Sequence, residues 1–323
     1  MMLVPSLDSG EPAEKRAPSG PITLAALESV RLSREIADLM ASDACHQVCI
    51  AVGKLRVAIR CSRESHARAL ALRFGDLLAS GPPDVSAHAV EADGKLYFWL
   101  TLERVFVYDG RTNDEIFTFF ADNVTMNEVL RHCGYFGLHA AVVTNGLRAA
   151  AILGTTTAGK TTTAVACVRR GLRLSSDERC IFEDGLLVPF LRALTVRRGG
   201  REALLNDPQE GSPIDALLRR FPDGAEVGTR PSTLFGDAGV ATERRRLDLA
   251  FLIEGRAGLA RAEPCDLYAV LPQLLAASVC AETDVERLAR ALHELRGVRC
   301  YRLTLGSPDA TARLIEERLD AAS

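Results

Sequence analysis

No C-x-x-C pair and no even set of cysteines occurs in these 323 residues; the nine cysteines present are scattered along the chain. That pattern excludes a disulfide framework and a structural zinc site, and it fits reduced, mainly buried thiols. Long apolar runs are missing too. The longest near the C-terminus, "AVLPQLLAASVCA", is shorter than the roughly 20 residues of a membrane span and is interrupted by Pro272 and Gln273. The opening "MMLVPSLDSGEPAEKR" lacks the positive start and apolar core of a secretory signal, so a cytoplasmic protein without a membrane partner is expected. Basic charge is not in excess. A formal net charge of −3 argues against nucleic acid as a partner.

What is there is an ordinary globular composition, 47% apolar and 25% charged, with enough chain for a large core and a smaller domain. Three stretches are expected. Residues 1–44 read as a flexible arm to about residue 21, followed by a helix from the periodicity of "ITLAALESVRLSREIADLMA". Residues 45–130 read as a small β-rich α+β domain. Its alternating runs "HQVCIAV", "LRVAIRC", "KLYFWLTLE" and "RVFVYDG" suit strands, and "ESHARALALRFGDLLA" suits a helical insert. A capping box at Thr125 and Glu128 is expected to open the helix leading into residues 131–323, the stretch that carries the chemistry. Near the end, Thr283 with Glu286 and Ser307 with Pro308 signal helices flanking the strand "GVRCYRLTL", with Val285, Leu288, Leu292 and Leu295 as core positions.

The strongest motif is Gly154-x4-Gly159-Lys160-Thr161, a phosphate-binding loop. Its glycines let backbone amides turn toward phosphate oxygens, Lys160 supplies positive charge to the β and γ phosphates, and Thr161 offers a hydroxyl to Mg2+. The apolar "RAAAIL" before it reads as a buried strand and "TTTAVACVRRG" after it as a helix stopped at Gly171. Gly154, Thr155, Thr156, Thr157, Ala158, Gly159, Lys160, Thr161 and Thr162 form the expected nucleotide-binding set, with ATP and Mg2+ as cofactors.

Two features narrow the class. "HAAVVT" and "LRAAAIL" are joined by Asn145-Gly146, the dipeptide of a two-residue hairpin turn, so the loop follows an antiparallel hairpin in a mixed sheet. A helix over 161–170 carries the chain roughly 15 Å away, and the extended residues 172–176 bring it back roughly 16 Å, which returns Asp177 and Glu178 to the loop. One acid can take the proton of an attacking hydroxyl and the other can hold Mg2+; Asp177 is expected as the base and Glu178, with the longer reach, on the metal side. His139, at the far end of the hairpin strand, is either a structural hydrogen-bonder or a catalytic group.

The segment "LHAAVVTNGLRAAAILGTTTAGKTTTAVACVRRGLRLSSDERCIF" resembles the core of the HPr kinase/phosphorylase family, and "TLFGDAGVATERRRLDLAFLIEG" is similar to a second block of it. The matching positions are His139, Gly154, Gly159, Lys160, Thr161 and Asp177, with Glu178 where the HPr enzymes have a second aspartate. The resemblance implies an α/β, mixed-sheet P-loop kinase core of the HPr kinase/phosphoenolpyruvate carboxykinase type. It also implies phosphoryl transfer from ATP to a hydroxyl, of a Ser or Thr side chain in a peptide or protein or of a small molecule. In it the acids serve base and metal and the histidine lies near the transferred phosphate. The loop lacks the G-D-S-G-x-G-K-S wording of the bifunctional enzyme, so no phosphorylase reaction is carried over. Residues 1–130 look more like the front domain of HPr-kinase-related proteins of modified-peptide biosynthesis.

Two other readings stay open, and so does an oligomer. "LDLAFLIE" ends in Glu254 and suits the Walker B strand of an ATPase; a nucleotide-binding module without catalysis is the third. Basic clusters at Arg197, Arg198 and Arg201 and at Arg244–Arg246 are candidates for capturing an acidic acceptor.

Overall fold

In the computed structural model, residues 24–208, 212–220, 227–278 and 283–321 are described. The arm expected over residues 1–21 lies outside them. The first part of the chain builds a six-stranded sheet from β1 (Glu28–Val30), β2 (His46–Val52), β3 (Leu55–Cys61), β4 (Val85–Ala92), β5 (Lys95–Trp99) and β6 (Val105–Tyr108). Its order is β1-β6-β5-β4-β3-β2. Helix α1 (Arg34–Ser42) precedes β2, α2 (Glu64–Arg73) crosses from β3 to the parallel β4, and α3 (Asp114–His132) follows β6. Alternation along the strands puts Val48, Ile50, Val57, Ile59, Leu96 and Phe98 on one face, where Leu70 of α2 and Phe117 and Phe120 of α3 bury them.

Two helix boundaries differ from expectation. The helix expected over 22–41 is confined to α1, capped by Ser33, which accepts from Ile36 N at 3.4 Å. Residues 28–30 instead pair with β6, so the stretch 1–44 contributes a strand to the sheet. Nor does a capping box open a helix at Thr125. Helix α3 starts at Asp114, where Asn113 accepts from Ile116 N at 2.7 Å and the acids Asp114 and Glu115 suit the helix dipole. Thr125 and Glu128 are buried in mid-helix and Glu128 bonds Arg131 at 2.8 Å. Residues three apart are neighbours on any helix, so the capping spacing recurs there without a helix end.

The rest of the chain runs β7 (Phe136–Leu138), β8 (Ala140–Thr144), β9 (Ala149–Leu153), α4 (Lys160–Arg169), β10 (Arg173–Ser176), β11 (Cys180–Glu183), β12 (Leu186–Val188) and β13 (Leu194–Val196). It continues through α5 (Arg198–Asn206), α6 (Pro213–Leu218), β14 (Val227–Thr229), α7 (Pro231–Phe235), β15 (Leu247–Arg256), β16 (Arg261–Cys265), α8 (Leu267–Ala276), α9 (Asp284–Glu294), β17 (Arg299–Leu305) and α10 (Pro308–Asp320). A second six-stranded sheet has the order β10-β8-β9-β15-β17-β16. Strand β15 is parallel to β9 and β17 while the other pairs are antiparallel, so the sheet is mixed, as expected. Both faces are covered, which is why its strands are almost wholly apolar: Ala150, Ile152 and Phe251 meet α4 and α10, while Ala149, Ala151 and Leu252 meet α8 and α9.

The hairpin before the loop forms with Ala140 opposite Leu153 and Thr144 opposite Ala149. Its turn is wider than the two residues expected, because the Asn145 side chain accepts from Leu147 N at 3.0 Å and Arg148 N at 2.9 Å and closes a loop over 145–148. Thr283 and Glu286 do form a capping box on α9 and Ser307 caps α10. Val285, however, is 77% exposed, and Ala291 and Leu295 are the buried residues of that helix and its cap. Among the described residues no helix is long and apolar enough to cross a membrane.

Candidate functional site

Three chain ends meet at one edge of the mixed sheet. Strand β8 begins beside the end of β9, and β10 pairs antiparallel with β8, so His139, Gly154 and Asp177 emerge on the same side. The loop itself is a tight arch. Gly154 lies so close to Ala158 and Ile253 that a Cβ there would stand 3.0 and 3.2 Å from their Cβ atoms. Gly159 takes φ +113 as the residue before α4, a value that L side chains rarely adopt. Thr157, a β-branched residue, is held at φ +69, a strained value of the kind that clusters where backbone grips a ligand. Thr155, Thr156 and Thr157 are exposed at the crest of the arch, whereas Ala158, Gly159, Thr161 and Thr162 are half-buried.

Lys160 is folded back under the arch. It is 7% exposed and its Nζ donates to Gly154 O at 2.8 Å and Thr155 O at 3.0 Å. Burial lowers its pKa, and the Arg197 charge nearby adds to this against the pull of Asp177. The first helical turn of α4 packs on α5: Gly200 lies against the Thr162 hydroxyl, where a Cβ would collide.

The return distance argued from the sequence holds for Asp177, which lies beside the Thr161 hydroxyl. Asp177 is 6% exposed, and among the described residues its Oδ1 has no hydrogen-bond partner. Burial pushes its pKa up, opposed by the Thr161 hydrogen bond and by the charges of Arg192, Lys160 and Arg73. Glu178 is held in an ion pair with Arg192. The contact with Thr161 thus belongs to Asp177 and not to the longer Glu178. His139 is half-buried, its amide donating to Ala277 O at 2.7 Å. Burial, then the charges of Lys160, Arg179 and Arg192, lower its pKa to about 4, so it is neutral at neutral pH.

A buried carboxylate oxygen without a partner, next to a threonine hydroxyl and at the foot of an exposed arch of backbone amides, fits Mg2+ carried by a polyphosphate. The chemistry of the donor set, hard oxygens with one ammonium, is right for that pair.

Arg192, Arg179, Arg73 and Asp122 belong to this neighbourhood and were not found from the sequence. Of the basic clusters that were singled out, Arg201 is buried and donates to Leu218 O at 3.0 Å, and Arg244 pairs with Glu183, so both are structural. Arg197 is exposed and near Lys160. Glu254 lies at the exposed end of β15, where it pairs with Arg302 at 2.9 Å.

No family model matches the sequence, and no curated protein matches it. Among solved structures the chain is similar to the HPr(Ser) kinase/phosphatase from Coxiella burnetii, at 13% identity and a TM-score of 0.27, over 57% of this chain and 93% of that one. That overlap is too loose to assign a family, and the geometry of the site has to carry the functional reading.

Proposed function

We propose that the protein is an ATP- and Mg2+-dependent phosphotransferase that passes the γ-phosphoryl group to a hydroxyl, of a Ser or Thr side chain in a peptide or protein or of a small molecule. The observation that supports this best is a buried Asp177, its Oδ1 without a partner, beside Thr161 and Lys160 at the end of a strained loop. The loop amides from Thr155 to Lys160 and the Lys160 ammonium would hold the β and γ phosphates. Thr161 and Asp177 would hold Mg2+, which when bound neutralises charge on the phosphate oxygens. Glu178, one residue on, is the group left to receive the hydroxyl proton, reversing the roles expected from side-chain length. A neutral His139, within reach of the charges of Lys160, Arg179 and Arg192, can donate one hydrogen bond toward the acceptor without adding charge.

A second reading has its own support: β15 is the parallel neighbour of β9, and Glu254 stands at its end, as the acid of an ATPase would. Exposure and the pair with Arg302 count against it. Incubation with γ-labelled ATP and candidate peptides, proteins and small hydroxyl compounds separates the readings. Label on an acceptor is the expected outcome, label released wholly to water supports the ATPase, and retained label reduces the site to a binding module.

A further inference from the structure

Behind the acid pair lies a buried set of charges that the nucleotide site does not by itself require. Asp122, fully buried on α3, holds Arg73 Nε at 2.9 Å and also Arg192. Arg192 is 2% exposed and spans two carboxylates, Nη1 on Asp122 and Nη2 on Glu178. Arg73, at the end of α2, also clamps the next residue: Ala193 N donates to Arg73 O at 2.7 Å, and Arg73 Nη1 to Ala193 O at 3.5 Å. On the same helix as Asp122, Asn123 and Asn127 accept from Arg179 at 3.1 and 2.8 Å. The two arginines beside the acid pair, one adjacent in sequence and one in space, are therefore both anchored on α3.

Stability alone is a poor reason for such an arrangement. Removing a charge from water costs several kcal/mol, and apolar residues of similar volume often serve a core as well as or better than a buried ion pair. What an arginine does that an apolar residue cannot is fix two carboxylates through a rigid planar fork. Segment 189–192 is itself set by the site: Phe190 N donates to Ser175 O at 2.8 Å, which lays this segment along β10 next to Asp177.

We infer that Arg192 is a positioning residue that fixes the Glu178 carboxylate beside Asp177, and that Asp122 and Arg73, supplied by the helices of the N-terminal sheet, fix Arg192. The inference rests on the phosphotransfer reading of the same site. Its consequence is that the N-terminal part is a working component of the catalytic edge, reaching it through α2 and α3.

The test is a double-mutant cycle on the full chain with MgATP as probe, reading kcat and KM for phosphate transfer or release together with Kd for MgATP. Arg192→Gln should lower kcat about 10²-fold while Kd stays within about threefold, and Glu178→Gln should do the same. The double variant should be no slower than Glu178→Gln alone, because Arg192 acts through Glu178. Arg192→Lys should recover about tenfold over Arg192→Gln, since an ammonium keeps the charge but not the fork. Losses that multiply in the double variant, or a kcat for Arg192→Gln within about threefold of wild type, overturn the inference. Should Arg192→Gln fail to fold, Arg192→Lys with Glu178→Gln completes the same cycle. A wild-type protein that binds MgATP without turning it over defeats the phosphotransfer reading; the cycle is then read in Kd, where non-additivity sustains the coupling and additivity ends it.

Discussion

The N-terminal sheet carries an ion pair at the surface, whereas at the edge of the mixed sheet charged groups are buried. Lys95 and Asp109 form a pair at 2.9 Å with both side chains well exposed. Titratable groups in the interior of that sheet and its helices include uncharged ones: buried His66 is stacked on Phe117 and half-buried His88 on Trp99, burial first, then Arg63 or Arg60, lowering each pKa to about 4, and burial raises the Cys61 thiol to about 12. Around the loop, Lys160, Asp177, Arg192 and Asp122 are all buried. Desolvating a charge is costly wherever it happens. Buried charges occur elsewhere too, in Glu128 with Arg131 and Arg169 with Asp215, but the convergence of four around one loop makes that spot the candidate place where charge is used.

The contrast can be broken first at the acids. Asp177→Asn and Glu178→Gln should each lower MgATP turnover by roughly 10²- to 10⁴-fold, far more than they weaken nucleotide binding. Raising Mg2+ should restore part of the loss in Asp177→Asn and none in Glu178→Gln; the opposite pattern would return the metal to Glu178. Next in size is the charge cluster. Asp122→Ala removes the carboxylate shared by Arg73 and Arg192, leaving Arg192 with Glu178 alone, and should cost about 3–5 kcal/mol in denaturant unfolding.

The histidines give a smaller, graded effect. The unfolded chain takes up their protons near the ordinary histidine value of 6.5, while His66, His88 and His139 do so in the fold only near 4. Their contribution is therefore complete above about pH 6.5 and lost as pH falls from there toward 4, by about 1 kcal/mol or more per histidine. Asp177, pushed up by burial, works in the opposite direction at the acid end of that window. His66→Phe should flatten the fall in urea midpoint with pH; an unchanged slope would mean that His66 is charged in the fold. Least of all, Lys95→Ala should leave the urea midpoint almost unchanged, as removal of an exposed pair usually does. A loss as large as that of Asp122→Ala would erase the difference between the two sheets.

The parts that could be read from the sequence were those written locally. Asn145-Gly146 between two apolar runs gave the hairpin, the glycines and Lys160 gave the loop and helix α4, and residue spacing returned Asp177 to Thr161. The parts that could not were made by residues far apart in the chain: Arg73 and Asp122 are separated by 49 positions and Asp122 and Arg192 by 70. A signal was present nonetheless. Arg192 in "FLRALTV" and Asp122 in "FFADNV" are single charges inside apolar runs, which a buried chain tolerates only when a partner meets them. The ion pair that holds Glu178 was out of reach for a related reason, because side-chain length could be weighed from the sequence and the pull of Arg192 on Glu178 could not.

The central claim is that the arch from Gly154 to Thr161 binds the phosphates of ATP with Lys160 beneath it. Calorimetric titration of MgATP into wild-type protein and into Lys160→Ala tests it most directly, with circular dichroism to show that both are folded. The account predicts saturable binding by the wild type that is weakened at least about 10²-fold in the variant. Equal affinity in the two proteins, or no binding by either, would contradict it.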